Sequence, residues 1–226
     1  GRQMLLGEAE KQHMRWLIRK VEGFTGVRVL TYALMTNHIH LLLEEPDREC
    51  DVSDELLMQR MKSLYSAGEM AEIEARWIDW QAQNNNQAIA EDKRRYTRRM
   101  HDISEFMKTL KHRFSFWYNR LNNRKGTLWS ERFKSVLVEG GEALCAVAAY
   151  IELNPVRAGL VKDPALYCFC GYGDAVAGSG QAQNGIIDVM VHKGASFGRN
   201  TERSWQTQSV RYLDEVLCFG HMNIEG

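Results

Sequence analysis

The chain reads as an α+β domain of the ferredoxin-like sort, an antiparallel sheet covered by helices, with an inserted helical segment over about 50–100 and a C-terminal extension over 176–226. Three observations predict this class. Two stretches rich in Val, Leu and Ile lie close together near the start with a short polar turn between them, the signature of a hairpin. Helix-period apolar stripes precede and follow that hairpin. The resulting order, αββ…α…βα, is that of a sheet with covering helices. With 226 residues, 44% apolar and 10% aromatic, the chain can bury a real core, which excludes wholesale disorder.

The elements follow in order. Met14, Leu17, Ile18 and Val21 stand at i, i+3, i+4, i+7 spacing, so 8–23 is predicted helical, broken by Gly23 and Gly26. Val27–Leu34 is predicted as a strand, Met35-Thr36-Asn37 as a turn, and 38–44 as the second strand, ended by Pro46. Residues 53–80 are polar and amphipathic and read as helix, and Gln81–Gln87 as a loop. Ile103–Leu121 places Phe106, Met107, Leu110, Phe114 and Trp117 on one helical face. Ser135–Glu139 is predicted as a short strand, and Glu142–Leu153 as a helix stopped by Pro155. The Gly-rich run from Gly171 to Gly185 reads as a loop, and 201–217 as a last helix.

Lys+Arg and Asp+Glu both number 29, so the net charge is zero, but it is unevenly spread. Residues 44–80 hold eleven acids against four bases, and residues 91–135 hold thirteen bases against five acids. Such asymmetry points to a nucleic-acid partner. Five cysteines (50, 145, 168, 170, 218) without C-x-x-C spacing read as reduced thiols of a cytoplasmic protein. Cys168 and Cys170 can join a metal site, but with no partner pair a structural role is the simpler reading. The longest apolar run, Ala143–Ile151, is too short for a membrane span. No signal-type segment opens the sequence, which begins at Gly1 rather than Met and so reads as a fragment or processed chain.

Two constellations carry chemistry. His38 and His40 sit at i and i+2 of a strand, on one face and roughly 6–7 Å apart at Cα. They can converge on one cation, with Ile39 directed into the core between them, or be two half-exposed histidines of an ordinary strand. Tyr150 and Asn154 sit at i and i+4 of a helix and look the same way. A tyrosine hydroxyl is a usable nucleophile when its charge is stabilised, and a carboxamide oxygen beside it can complete a metal site with the two imidazoles. The alternative makes Tyr150 a core aromatic and Asn154 a helix-terminus residue before Pro155.

Together these residues resemble a known family. Met35-Thr36-Asn37-His38-Ile39-His40-Leu41-Leu42-Leu43 resembles the His-hydrophobic-His motif of the single-tyrosine HUH (IS200-like) transposases. Tyr150-Ile151-Glu152-Leu153-Asn154-Pro155-Val156-Arg157-Ala158-Gly159 resembles the catalytic-tyrosine helix of their REP-associated branch, and Gly126–Ser135 also matches that branch. The resemblance covers roughly residues 2–175, with the three matches in the family's order. It implies a catalytic domain over 1–175 that binds single-stranded or hairpin DNA and cuts it with a divalent metal, Mg2+ or Mn2+. Tyr150 would be the nucleophile, forming a 5′-phosphotyrosine. His38, His40 and Asn154 would be the metal ligands. The sequence departs from the pattern at its start, where relatives carry a strand of the type Tyr-His-x-x-x-Arg.

The basic stretch supplies a candidate DNA face. Lys93, Arg94, Arg95, Arg98 and Arg99 form a cluster, and a second set of cations is interleaved with aromatics further on. Arg98, Arg99, Arg124, Lys125, Arg132 and Lys134 are expected on phosphates, with Trp129 stacking on an unpaired base. Phe114 and Trp117 are expected in the core. Tyr118 is a rival nucleophile without a comparable partner set. His192, Lys193 and Arg199 read as solvated surface. A DNA- or RNA-binding relative without cleavage, and a metal-dependent small-molecule hydrolase, are the competing functions. The sequence leaves open a monomer or a homodimer, and no membrane partner is expected.

Overall fold

A computed structural model describes residues 6–47, 52–129, 131–196 and 204–222. Cys50, Ser130, Arg199 and the side chain of Cys218 lie outside the described residues. The fold is α+β, a two-stranded antiparallel sheet with many helices. In order the elements are α1 (Glu8–Thr25), β1 (Arg28–Leu34), β2 (Ile39–Glu44), α2 (Asp54–Leu64), α3 (Ala67–Ala82), α4 (Asn86–Thr97), α5 (Ile103–Leu121), α6 (Glu142–Glu152), α7 (Asn154–Arg157), α8 (Gly171–Val176), α9 (Gly180–Ser196) and α10 (Trp205–Met222). The chain divides into two compact units: Gly1–Arg15, Val29–Glu44 and Leu128–Gly226 form the first, and Trp16–Arg28 with Glu45–Thr127 the second.

The first unit is built on the hairpin. A two-residue turn, Thr36-Asn37, is closed by the Met35 amide donating to the His38 carbonyl at 2.9 Å. Residues Val29–Leu34 of β1 are buried on both faces, whereas in β2 only Leu42 is buried. The other edge of β1 is closed by the stretch before α8: the Leu34 amide donates to the Phe169 carbonyl at 2.9 Å, and Ala33 bridges Cys170. Tyr167 Oη donates to the Leu34 carbonyl at 2.7 Å and accepts from Lys11 Nζ at 2.9 Å. Helices α6, α9 and α10 pack on one another, and α6 also packs on β2, so the C-terminal stretch shares this unit's core through Ile186, Tyr212 and Val216.

The second unit is helical, and its caps explain where each helix starts. Ser53, Ser66, Asn85 and Asp102 each accept a hydrogen bond from the backbone amide three residues on, an arrangement worth about 1 kcal/mol apiece. Ser66 with Glu69 forms a full capping box, which splits the single helix expected over 53–80 into α2 and α3. Val21, Phe24, Leu57, Met61, Phe106, Leu110 and Phe114 make its core, while Trp117 is only half-buried.

Two expectations are corrected. Ser135–Glu139 is not a strand: the segment is irregular, with Val136 87% and Leu137 95% exposed. A short apolar segment becomes a strand only when it pairs with a sheet edge, and this one pairs with neither β1 nor β2. The run 171–185 is not a loop but α8, a turn at Gly178 (φ +100°) and the start of α9. Its glycines serve close packing. A Cβ on Gly171 would collide with Thr31 Oγ1, and one on Gly185 with the Leu30 carbonyl oxygen. Gly185→Ala is therefore expected to cost about 1–3 kcal/mol in urea unfolding, whereas Gly180→Ala, which faces open space, stays within about 0.5 kcal/mol.

Candidate active site

Helical geometry sorts the residues of α6 and α7 by direction. At 100° per residue, positions 150, 154 and 157 fall within about 60° of one another, and position 152 points nearly opposite. Tyr150 is accordingly 48% exposed and Glu152 fully buried. Exposure of that size removes the reading of Tyr150 as a core aromatic.

Pro155 explains the amide beside it. Proline has no N–H to give the Ile151 carbonyl four residues back. Asn154 Nδ2 donates there instead at 3.3 Å, and to the Tyr150 carbonyl at 2.9 Å. Carbonyls only accept, so the chemistry itself assigns the nitrogen to them and leaves Oδ1 as the atom the amide could offer a cation. Asn154 is thus a helix-terminus residue that also keeps an oxygen available for ligation.

The hairpin brings its histidines to the same place. His38, just before β2, and His40, within it, have ring centroids 4.8 Å apart at 87°. His38 Nδ1 lies 2.7 Å from Asn37 Oδ1, an acceptor that fixes the proton on Nδ1 and leaves Nε2 for a metal. Burial, and secondarily the His38 charge, hold the His40 imidazole below its ordinary value, in the neutral form that ligation requires. Ile39 is half-buried rather than in the core. The Tyr150 ring stands edge-on to His40, centroid to centroid 6.0 Å. Arg157 also meets that phenol, its guanidinium 4.9 Å from the Tyr150 ring centre. The sequence pattern alone assigns Arg157 no role, although its i+7 spacing from Tyr150 carries the signal.

The donor set fits a divalent cation: two imidazoles, an anchored amide oxygen and open solvent for phosphate oxygens. Among the described residues no three His, Cys, Asp or Glu side chains gather on one point, so a third protein ligand beside the two imidazoles would have to be of another kind, such as an amide oxygen. Cys168 is exposed and Cys170 buried, capping α8 through the Gly173 amide at 3.4 Å, so the two thiols do not converge.

Of the expected DNA contacts, Trp129, Arg132 and Lys134 belong to the first unit, and Arg98, Arg99, Arg124 and Lys125, with Tyr118, to the second. Arg132 and Lys134 are exposed, and Lys134 lies 3.5 Å from Glu131. Arg124 covers the Tyr118 ring at 5.8 Å. Arg99 is engaged with Tyr65 Oη at 2.8 Å and Thr109 Oγ1 at 3.0 Å. His192 pairs with Glu44 at 2.9 Å and Lys193 with Glu215.

No family model, no curated protein and no solved structure matches this chain.

Glu152 is the second group that the sequence pattern leaves unassigned. Its Oε1 accepts from Thr31 Oγ1 on β1 and from the Tyr172 amide of α8 at 2.9 Å, with the Tyr212 hydroxyl of α10 beside it. Burial pushes its carboxyl up to about 7 against those hydrogen bonds. Below pH 4.5 it is protonated in folded and unfolded chains alike; from there to about 7 the unfolded chain sheds a proton that the folded one keeps. Stability should therefore fall with rising pH across that window and level off above it. Urea unfolding of wild type and Glu152→Gln over pH 4–9 isolates the group: the difference between the two should change across the window, and a constant difference would exclude this account.

Proposed function

We propose that this chain is a metal-dependent enzyme that nicks single-stranded or hairpin DNA and transfers the strand through a tyrosine, as the family it resembles does. The observation that carries the reading is the meeting of Tyr150 with His40, whose ring in turn packs on His38. The histidines lie more than a hundred positions from the tyrosine, and the resemblance names them as ligands and the tyrosine as nucleophile. The hairpin with its covering helices is, on this reading, a reduced ferredoxin-like core. The protein acts in the cytoplasm, as a monomer or homodimer. Among the described residues no helix is long and apolar enough to cross a membrane.

The chemistry follows from the side chains. Tyr150 Oη forms a bond to phosphorus as the bond from phosphorus to the 3′ oxygen breaks. The phenolic proton passes to water, and the departing 3′ oxygen takes one up. A 5′-phosphotyrosine and a free 3′-hydroxyl remain, and attack by another strand's 3′-hydroxyl reverses the step without an energy-carrying nucleotide. Arg157 stabilises negative charge as it develops on the phenol and can meet a non-bridging phosphate oxygen. His38, His40 and Asn154 Oδ1 would hold Mg2+ or Mn2+, which when bound supplies Lewis-acid charge to the scissile phosphate. Trp129, Arg132 and Lys134 of the first unit, and Arg98, Arg124 and Lys125 of the second, supply phosphate and base contacts, while Arg99 is held by Tyr65 and Thr109.

With a labelled hairpin oligonucleotide and Mn2+ or Mg2+, wild type should form a covalent adduct on a denaturing gel. Tyr150→Phe should form none while its Kd stays within about twofold. His38→Ala and His40→Ala should each lose at least about 10- to 100-fold in cleavage, and Asn154→Ala less. Arg157→Ala should slow adduct formation about 100-fold. A wild type that binds but forms no adduct with any hairpin would leave the DNA- or RNA-binding relative as the function.

A further inference from the structure

The second unit holds a cavity of about 530 Å3 that the catalytic chemistry does not use. Helix α3 contributes Arg76 and Trp80, one turn apart. Helix α4 contributes Asp92, Arg95 and Tyr96, and the residues just beyond it add Arg98 and Arg99. Four guanidinium groups thus share the lining with one carboxylate.

The pairing decides which of those charges remain for a ligand. Asp92 is 5% exposed and accepts from Arg76 Nη2 and Trp77 Nε1, both at 2.8 Å. Its charge is matched by Arg76, whose guanidinium also lies 5.5 Å from the Trp80 ring centre and holds that indole in place. Arg99 is committed to Tyr65 and Thr109, with Glu105 3.9 Å away and the Phe24 ring 4.8 Å beneath it. Arg95 is different: its side chain is 70% exposed, and Asp92, already shared, lies 3.8 Å off. Arg98 at the end of α4 is exposed. Surplus positive charge therefore sits at the mouth of a cavity that has an indole and a phenol in its wall.

That combination selects a ligand class. A carboxylate metabolite would use the arginines but not the aromatic wall, and an apolar ligand the reverse. A phosphate joined to a planar base uses both. We propose that this cavity is a binding site for an unpaired nucleotide of a DNA strand, with its phosphate on Arg95 and Arg98 and its base against Trp80. The choice of a DNA strand over other base-bearing phosphates rests on the proposed function; the site itself is separate from the Tyr150 chemistry and stands whether or not that tyrosine cleaves. It makes the inserted helices α3 and α4 a grip for single-stranded DNA.

The test is fluorescence anisotropy of labelled oligothymidylate, with the full chain at several salt concentrations and again in the Tyr150→Phe background, which keeps binding separate from cleavage. Arg95→Ala/Arg98→Ala should weaken binding at least about tenfold and flatten the salt slope by about 1.4, the contribution of two phosphates on a single strand. Trp80→Leu should weaken binding about 5- to 100-fold with the slope unchanged. Lys62→Ala/Lys162→Ala, which removes equal charge from positions outside the cavity lining, should change Kd less than threefold. Thermal melts of each variant establish that it is folded. Oligothymidylate binding by Arg95→Ala/Arg98→Ala and Trp80→Leu at wild-type strength, absence of binding by wild type, or an equal loss in the lysine control would each overturn the proposal. An adduct-free wild type whose binding still depends on the cavity would remove the strand-transfer reading and leave this one intact.

Discussion

The first unit turns on one buried carboxyl. Glu152 sits on the inner face of α6, joined to Thr31 on β1 and to the Tyr172 amide of α8. Burying an acidic group is costly unless hydrogen bonds receive it, and here they come from two different elements. Those bonds fix the rotation of α6 about its own axis. A helix turned by one residue would swing its outer face by about 100°, taking Tyr150 away from His40 and burying a phenol where Ala148 and Ala149 now fit. The polar contact inside thus dictates what is offered outside, and it does so only because glycines at 171 and 185 let α8 and α9 close on β1.

Much of this is legible in the residue pattern, and the exceptions have physical causes. The hairpin, α1, α5, α6 and α10 carry strong periodicity and clear terminators, so they read directly. The stretch 135–139 has the β-branched composition of a strand, yet composition says nothing about whether the segment meets a sheet edge, and the exposed Val136 and Leu137 show that it stays unpacked. The glycines of 171–185 read as loop because a sequence does not distinguish a glycine needed for φ from one needed for proximity. Gly178 is the first kind and Gly173, whose Cβ would collide with the Tyr167 carbonyl oxygen, the second. The break between α2 and α3 does have a sequence signal, the Ser-x-x-Glu box at 66–69, but the amphipathic pattern runs on across it and hides it.

The candidate site shows the same division. The two histidines and the tyrosine–asparagine pair are local spacings, and local spacings are what a sequence displays best. That His40 meets Tyr150 is a tertiary fact. Arg157 and Glu152 stay unassigned in the sequence because one looks like an ordinary surface base and the other like a stray acid in an apolar helix. An acid flanked by buried Ala148, Ala149, Ile151 and Leu153 is itself the signal that something inside must bond to it. The charge asymmetry is legible as a total but not as a distribution: some of the thirteen bases over 91–135 are tied to Asp92, Glu105 or Asp54, and only a few face outward at the mouth of a cavity.

The central claim is that the two imidazoles and the phenol form a single metal-centred site. Paramagnetic broadening by Mn2+ tests it directly. As Mn2+ is added to isotope-labelled protein, the backbone amide signals of residues 38–40 and of 150–154 should broaden together, at the same substoichiometric additions and before all others. Broadening confined to the hairpin while residues 150–154 keep their full intensity at saturating Mn2+ would contradict it.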